Sequence, residues 1–242
     1  MKWMLIPLFT FSVCLLASAQ SVEEVVESHV KALGGREKLA QLKSVYMEAI
    51  TVRPDGNEVT TKTWKVQDRL MRREIDFGMG TMTSIITDKE GWSTNPRSGG
   101  AFEAMPPEMA DRQRGELDIS GPLVDYAAKG HKAELAGKEV VNGSSCHLLK
   151  LTLKSGREVT YCIEEKTGLI LRTKTKGGGG MRGGPGRDPN AETLTDYSDY
   201  RKTEDGFLFP HTVTIVGMGA SMNMEKIEVN KPVDEKLAKP QQ

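Results

Sequence analysis

The sequence predicts a mainly β domain of the α+β class, in which an N-terminal helix precedes an antiparallel meander of about ten or eleven strands. Three observations support this prediction. A helical apolar stripe occurs near the start, short alternating stretches separated by turn residues fill most of the rest, and strands do not alternate regularly with helices. Strands joined by short turns pair antiparallel, whereas a parallel sheet needs crossover helices.

The helix is predicted in the stretch SVEEVVESHVKALGG, which starts at Ser21. Ser21 and Glu24 have the spacing of a capping box, and Gly34-Gly35 supplies a stop signal. Valines, a leucine and His29 recur at helical spacing between these limits, which predicts one buried face. We therefore interpret His29 as a packed core residue. A shorter apolar-striped piece follows at residues 36–42.

Strand patterns begin at Ser44, where branched and aromatic residues alternate with polar ones. The first two stretches, SVYMEAITV and EVTTKTWKVQ, flank RPDGN, which is a hairpin turn signal. The further stretches of this kind are LMRREIDF, TMTSIITD, GWSTN, KAELAGKEVV, HLLKLTLKSGREVTYCI, LILRTKTK, TLTDYSDYRKT, FLFPHTVTIV and SMNMEKIEVN.

One segment, residues 101–126, interrupts the strand pattern. Pro106-Pro107 is placed to start a helix, because proline is favoured in the first helical turn. Apolar residues occur along the segment at irregular spacing: Phe102, Met105, Met109, Leu117, Ile119, Leu123 and Val124. A segment this long that carries apolar residues predicts a lid over the sheet rather than a slack linker.

The glycine-rich stretch KGGGGMRGGPGRDPN, within residues 176–191, raises the question of a phosphate-binding loop. Such a loop needs a strand before it and a helix after it, so that backbone amides and the helix dipole converge on the anion. Here the following stretch, AETLTDYSDYR, has a strand pattern, and no GK[ST] is present. We interpret the stretch as a flexible hairpin tip, because glycine loses much entropy on ordering.

The first 19 residues have the features of a cleaved secretory signal: a basic start, an apolar centre and the site Ala17-Ser18-Ala19. The apolar run is short for a membrane span, and an uncleaved membrane anchor is the alternative. We expect a periplasmic protein in which residues 20–242 form a single domain. Cleavage removes one of the 33 basic residues, Lys2, so the net charge becomes −1 against 33 acidic residues. This balance gives no electrostatic reason for binding to nucleic acid or to an anionic membrane surface. We expect no nucleic-acid partner and only transient membrane contact.

Two cysteines, Cys146 and Cys162, remain after cleavage, in a compartment that permits disulfides. A three-residue turn in LTLKSGREVTY gives a register that pairs Leu151 with Val159 and Leu148 with Cys162, leaving Cys146 diagonal to Cys162. A diagonal separation of about 7–8 Å is too long for a relaxed disulfide. We therefore expect two free, half-buried thiols.

The residue types that carry catalysis or bind metals are scattered. The histidines His29, His131, His147 and His211 form no metal-binding spacing, and the neighbours His147 and Cys146 point to opposite faces of a strand. No nucleophile elbow or catalytic triad pattern is present. We expect no enzyme activity, no metal and no cofactor; an enzyme whose site is assembled from distant residues is the alternative.

Methionine is frequent in this chain. Ten of the twelve methionines lie between Met47 and Met224, whereas aromatic residues make up only 6%. Methionine is flexible and polarisable, and it suits surfaces that repack around variable apolar partners. We interpret most methionines as core residues, and Met105 and Met109 on the predicted lid as candidates for contact with an apolar ligand.

Four stretches, ALGGREKLAQLKSV, IEEKTGLILRTK, YSDYRKTEDGFLFPHTVTI and MEKIEVNKPVDEKL, resemble periplasmic outer-membrane lipoprotein-sorting proteins, the relatives of the carrier LolA. A looser resemblance extends to RseB and to mycobacterial lipoprotein carriers such as LppX. The resemblance covers residues 21–237. It implies an open, strongly curved antiparallel half-barrel whose concave side is covered by helices and holds acyl chains. The family's cargo-gating arginine has no matched position, although Arg53, Arg72 and Arg73 lie in the strand region.

On this basis we expect a non-catalytic periplasmic carrier or chaperone that binds the acyl chains of a lipoprotein or lipid in an apolar cavity. Inner- and outer-membrane transfer partners are implied by the same resemblance. The alternative is an envelope structural or regulatory protein that binds a protein partner through the same sheet. The candidate ligand-binding residues, each of which also fits a core position, are Met47, Trp64, Ile75, Phe77, Ile86, Leu149, Leu151, Tyr161 and Ile163 on the wall, and Phe102, Met105, Met109 and Leu117 on the lid.

Overall fold

The computed structural model describes residues 20–96, 99–176, 191–217 and 219–240. The predicted signal peptide, residues 1–19, lies outside the described residues. So does most of the predicted glycine-rich tip, of which residues 177–190 are not described.

The described residues form one open antiparallel sheet of thirteen strands, in the order β6-β5-β4-β3-β2-β1-β13-β12-β11-β10-β9-β8-β7. The mainly β, open antiparallel architecture is therefore as predicted, but the expected number of ten or eleven strands was too low. The strands are β1 Ser44–Val52, β2 Glu58–Val66, β3 Leu70–Asp76, β4 Thr81–Thr87, β5 Gly91–Thr94, β6 Phe102–Ala104, β7 Lys132–Val141, β8 Ser144–Thr152, β9 Glu158–Glu164, β10 Ile170–Lys176, β11 Glu192–Lys202, β12 Leu208–Ile215 and β13 Ser221–Val229.

The shortest strands explain part of the difference in number. Strand β6 has three residues and lies inside the segment that the sequence assigned wholly to a lid. Three residues are too few to show alternation, so only pairing with β5 reveals this strand.

The order of the strands describes the path of the chain. From β1 the chain runs by hairpins to one edge of the sheet at β6, and from β7 at the other edge it runs by hairpins back to β13. The two halves join where β13 pairs with β1, with Val45 opposite Val229. Residues 105–131, which we call the crossing segment, connect the two edges.

Among the described residues, three α-helices accompany the sheet: α1 Val22–Ala32, α2 Arg36–Leu39 and α3 Pro107–Arg114. The predicted capping box is present at the start of α1, because the side chains of Ser21 and Glu24 each accept a hydrogen bond from the other's backbone N–H. Helix α3 begins at Pro107, as the proline pair predicted. Short 3₁₀ helices follow at Gly115–Leu117 and Glu235–Ala238.

The two faces of the sheet are covered by different parts of the chain. We call the face that carries Met47 the helical face, because strand register places the residues that pack under α1 and under α3 on this same side. Helix α1 packs there over β8 and β9, and α3 packs over β3 and β4. We call the opposite side the tail face.

The C-terminal segment, residues 231–240, packs on the tail face. The Ser44 hydroxyl donates a hydrogen bond of 2.8 Å to the Lys231 carbonyl, and the Arg72 guanidinium donates one of 3.3 Å to the Leu237 carbonyl. A small cavity of about 170 Å³ lies beside this segment and is lined in part by Tyr46 and Trp64.

The hairpin of β8 and β9 has the predicted register, with Leu151 opposite Val159 and Leu148 opposite Cys162. Cys146 pairs with Glu164 and is therefore diagonal to Cys162, and both thiols are free. Both side chains are fully buried rather than half-buried. Burial raises the pKa of the Cys162 thiol to about 11, which keeps this sulfur protonated and unreactive near neutral pH.

Candidate functional site

The crossing segment contacts three separate apolar clusters of the helical face. Leu117 packs with Met71 and Ile86 of β3 and β4. Ile119 packs against the cluster around the seam of β1 and β13. Leu123 and Val124 pack with α1, β8 and β9. The segment thus lies across much of the helical face.

Four of the candidate wall residues lie together under α1. Leu149, Leu151, Tyr161 and Ile163 belong to the same buried cluster, which includes valines of the helix. These side chains form the covered end of the helical face near β8 and β9.

A second group lies under α3. Ile86, Met105 and Leu117 are buried in one cluster with Met71. Ile75 is buried on the same face of β3, since it is two positions from Arg73 and four from Met71. Met47 is partly buried at the seam of β1 and β13, between the two covered ends.

The structure separates the other candidates from these groups. Trp64 lies on the tail face, because it pairs with Tyr46 whereas Met47 pairs with Thr63. The Trp64 and Tyr46 rings are 5.1 Å apart between centroids. Phe102 pairs with Thr94 in the edge hairpin. The side chains of Phe77 and Met109 are exposed.

A cluster of charges under the crossing segment was not predicted as a site. An Nη2 atom of Arg73 lies 2.6 Å from Oε2 of Glu116, and Nζ of Lys65 lies 3.6 Å from the same oxygen. Arg73 and Lys65 belong to β3 and β2 and lie on the helical face, whereas Glu116 belongs to the crossing segment. This cluster therefore links the segment to the sheet by charge as well as by apolar contact.

The surroundings shift the pKa values of this cluster. Burial lowers the pKa of the Lys65 ammonium, although Glu116 opposes the shift. Burial alone would raise the pKa of the Glu116 carboxyl, but the attraction of Arg73 and Lys65 outweighs it, and the pKa lies below its ordinary value. Glu116 is therefore ionised at neutral pH. The Glu116 side chain remains 38% exposed to solvent.

A second ion pair joins two parts of the crossing segment. Nζ of Lys129 lies 2.7 Å from Oδ2 of Asp118, and the Lys129 ammonium also donates a hydrogen bond of 2.9 Å to the Gly121 carbonyl. The Ile119 backbone N–H donates to the Gln67 side-chain oxygen at 2.8 Å. These contacts fix the shape of the segment where it passes over the middle of the sheet.

Hydroxyl side chains lie on the helical face on both sides of the apolar seam of β1 and β13. Thr61 and Thr63 of β2 are buried on this face. On the same face of β10 and β11, Thr173 pairs with Thr195, and Thr175 pairs with Thr193. The helical face thus carries hydroxyls and charges on β2 and β3 and hydroxyls on β10 and β11, between the apolar cluster at the central seam and the apolar clusters under α1 and α3.

Alternation in the sequence contained a signal for Arg73 and Lys65, but it did not identify their partner. The three arginines of the strand region have separate environments. Arg53 is exposed in the first hairpin turn, Arg72 lies on the tail face paired with Glu74 at 2.7 Å, and Arg73 lies on the helical face. Glu116 meets Arg73 only through the path of the crossing segment, which no local pattern predicts.

A second, open cavity of about 520 Å³ lies at the outer side of α1, where Glu23, Glu27, Arg36 and Tyr126 contribute to its lining. Its position on the outside of the helix separates it from the helical face. In the described parts of the chain, no three His, Cys, Asp or Glu side chains are grouped so as to hold a metal ion. None of the described helices has the length and apolar character that crossing a bilayer requires.

Solved structures share this arrangement of strands. The chain is similar to a DUF1329 family protein from Desulfovibrio piger, with a TM-score of 0.58, 13% identity, and coverage of 91% of this chain and 98% of that chain. It is similar to a LolA superfamily protein from Nitrosomonas europaea, with a TM-score of 0.58, 10% identity, and coverage of 91% and 99%. The chain has a LolA-like fold.

A third solved structure, a domain assigned to outer membrane lipoprotein sorting in Vibrio parahaemolyticus, is similar with a TM-score of 0.50, 13% identity, and coverage of 88% of this chain and 94% of that chain. No protein-family model matches the sequence, and no curated protein matches it. A LolA-like fold at this level of identity defines the architecture, so the function has to be argued from the site.

Proposed function

We propose that this protein is a non-catalytic carrier of the cell envelope that binds the acyl chains of a lipoprotein or lipid between the helical face and the crossing segment. The signal peptide expected at residues 1–19 would direct the mature domain, residues 20–242, to the periplasm. The observation that carries the proposal is the crossing segment itself, which covers separate apolar clusters of one sheet face with a few apolar side chains.

Strong curvature of the sheet is part of the proposal. The guanidinium of Arg157, in the turn before β9, donates a hydrogen bond of 3.2 Å to the Arg112 carbonyl of α3. Ala110 of the same helix packs on β3 and β4. In a flat sheet, the eight spacings between β4 and β9 would separate them by about 38 Å. A helix about 10 Å across bridges both only if the sheet bends around it, which supports a half-barrel with a covered concave side.

The energetics allow an acyl chain to replace the crossing segment. Exposing a buried leucine or valine costs about 1.5–3 kcal/mol, so freeing Leu117, Leu123 and Val124 costs on the order of 5–9 kcal/mol. Burying an acyl chain contributes about 0.8 kcal/mol per CH₂ group, so a chain of about a dozen CH₂ groups offsets this cost. The segment therefore acts as a lid that protects the apolar clusters until cargo arrives.

Native mass spectrometry of the protein purified from cell envelopes tests the proposal, together with titration of a fluorescent fatty acid. We expect co-purified lipid or saturable binding, and we expect Leu149→Asp to abolish it. The exposed Met109 offers a matched control, since Met109→Ala removes a side chain outside the buried clusters. If neither co-purified lipid nor fatty-acid binding is found, the carrier function is wrong.

A second candidate function, binding of a protein partner, is favoured by one observation. Val52, Phe77, Met79 and Val216 are exposed. They lie in or beside the turns that follow β1, β3 and β12, which run in the same direction and so bring these turns to one end of the sheet. Exposed apolar side chains grouped at one end suit contact with a transfer partner or another envelope protein. Protein that is free of lipid, binds no fatty acid and still forms a stoichiometric complex would support this function over the carrier.

A further inference from the structure

The charged cluster under the crossing segment has its cations on the sheet and its anion on the segment. The sheet contributes two cations, Lys65 and Arg73, and the crossing segment contributes the carboxylate that faces both, Glu116. The helical-face positions of β1 to β4, all of them among the described residues, contain no Asp or Glu: they are Val45, Met47, Ala49, Thr51, Val59, Thr61, Thr63, Lys65, Met71, Arg73, Ile75, Met82, Ser84 and Ile86. The sheet itself therefore does not neutralise its own cations.

The Glu116 carboxylate lies closer to one of these cations than to the other. Its carboxylate lies within hydrogen-bond distance of Arg73, at 2.6 Å, but at 3.6 Å from the Lys65 ammonium it is beyond that distance. Two cations facing one carboxylate leave one positive charge over. A second acid whose charge acts on Lys65, Asp118, is paired with Lys129 at 2.7 Å. The two cations would therefore accept an anion with more oxygens or more charge than one carboxylate.

We infer that Lys65 and Arg73 form a binding site for the anionic group of the carried molecule, a carboxylate or phosphate, and that Glu116 occupies this site when the crossing segment is closed. This inference rests on the proposed carrier function and names the class of cargo: an amphiphile with a negatively charged end. The arginine supplies a planar fork of donors that matches carboxylate or phosphate oxygens, and the lysine supplies a point charge.

The position of the site relative to the apolar clusters fits such a molecule. Met71 and Ile75 flank Arg73 on the helical face of β3, and Met71 belongs to the buried cluster beside the site. An anionic group bound by Arg73 would therefore place its attached chain against this cluster.

The same arrangement makes the opening of the segment selective. Lifting Glu116 away without a replacement leaves the Lys65 and Arg73 charges without the carboxylate that they share, and the attraction of this partly exposed cluster is lost. An incoming anion restores the pairing, whereas a neutral head group does not. The cargo therefore competes with Glu116 for the same donors.

Binding of matched long-chain ligands tests this inference. Hexadecanoate and hexadecyl phosphate carry an anionic end, and hexadecanol and methyl hexadecanoate have the same chain without the charge. We expect the anionic ligands to displace a fluorescent fatty acid with an affinity about tenfold higher than that of the neutral ones, which corresponds to about 1.4 kcal/mol. In Arg73→Gln and Lys65→Met this preference should disappear while binding of the neutral ligands persists.

The control variant is Lys62→Met, since Lys62 is on the same strand but pairs with Glu48 and Glu74 on the tail face. It should retain the preference for anionic ligands. The variant Glu116→Gln removes the internal competitor, and we expect hexadecanoate to bind it several-fold more tightly than the wild type. Circular dichroism verifies that each variant is folded.

The possible results separate the two proposals. Equal affinity for hexadecanoate and hexadecanol overturns the anion site and leaves the carrier function standing, whereas failure of both ligands to bind overturns both. Unchanged or weaker hexadecanoate binding in Glu116→Gln also overturns the anion site. If inorganic phosphate alone competes as well as hexadecyl phosphate, the site serves a free anion and the assignment to an amphiphile is wrong.

Discussion

His29 joins α1 to the turn between β9 and β10. Its Nδ1 atom lies 2.9 Å from the Gly168 carbonyl oxygen, and its side chain is buried, as the apolar stripe of the helix predicted. Burial lowers the pKa of His29 below 6.5, and the hydrogen bond to Gly168 opposes this shift only in part. The imidazole is therefore neutral in the folded protein at neutral pH and donates from Nδ1.

The lowered pKa predicts a loss of stability in mild acid. Below pH 6.5 the unfolded chain takes up a proton on His29 while the folded chain does not, so the free energy of unfolding should fall by about 1.4 kcal/mol per pH unit until the folded-state pKa is reached. Urea unfolding between pH 7 and 5 measures this slope. The slope should be smaller in His29→Gln, and an equal slope in that variant would exclude His29 as its source.

Gly168 allows α1 to approach the turn between β9 and β10 closely. Its φ of +74° is in the left-handed region, and a Cβ atom there would lie 2.5 Å from the carbonyl oxygen of Ser28 in α1. We expect Gly168→Ala to lower the free energy of unfolding by about 3 kcal/mol or more, from backbone strain and overpacking together. Gly156→Ala is the control, because φ there is +83° but no atom lies within 4 Å of the added Cβ.

Gly156→Ala should lower the free energy of unfolding by only about 1–2 kcal/mol, since this variant has the backbone strain without the steric clash. Chemical denaturation of both variants gives the comparison. Equal costs for Gly168→Ala and Gly156→Ala would show that the close approach of α1 to the turn relaxes without penalty.

At the scale of elements, the crossing segment contains both the buried Leu117 and the exposed Met109. Leu117 is 5% exposed and lies among Met71, Ile86 and Met105, whereas Met109 of α3 is 49% exposed. We expect Leu117→Ala to lower the free energy of unfolding by about 2–4 kcal/mol and Met109→Ala to change it by less than about 0.5 kcal/mol. Equilibrium denaturation measures both, and similar values for the two would contradict the described packing.

Strands with plain alternation could be predicted from the sequence, down to their ends. The stretches SVYMEAITV and KAELAGKEVV coincide with β1 and β7. The face of each strand was harder to assign. In β2, Trp64 and Val66 lie on the tail face, whereas the helical face of this strand carries Thr61, Thr63 and Lys65 besides Val59. A rule that turns the apolar residues of every strand toward one shared face therefore fails for Trp64, which lies on the face opposite to Met47.

The charge cluster shows why the site could be predicted only in part. The sequence places Lys65 and Arg73 on strands, where register alone brings them to one face. Glu116 reaches them through a segment without periodicity, and such a contact depends on the folded path rather than on local pattern. The shared face of Leu149, Leu151, Tyr161 and Ile163 could be predicted because the β8–β9 register follows from turn length.

At the scale of the whole molecule, the two faces of the sheet are covered very differently. The tail face beside β2 and β3 is covered by residues 231–240, which contact Ser44 and Arg72 through backbone carbonyls. We expect deletion of residues 231–242 to lower the free energy of unfolding by about 2 kcal/mol or more, because large apolar side chains become exposed. The emission of Trp64 should shift to longer wavelength.

Deletion of residues 241–242 alone is the matched control and should change neither quantity. Thermal or urea unfolding with tryptophan fluorescence gives both readings in one experiment. If the longer deletion behaves like the shorter one, the C-terminal segment does not protect the tail face in solution.

The route of the chain also determines how a ligand could enter. The crossing segment is attached to β6 at one edge of the sheet and to β7 at the other. A segment attached at one end can swing aside, whereas a segment attached at both ends can only move outward from the sheet. Such a movement breaks no hydrogen bond between strands. It opens a narrow gap along each side of the segment, and a long thin ligand would pass through such a gap more easily than a compact one.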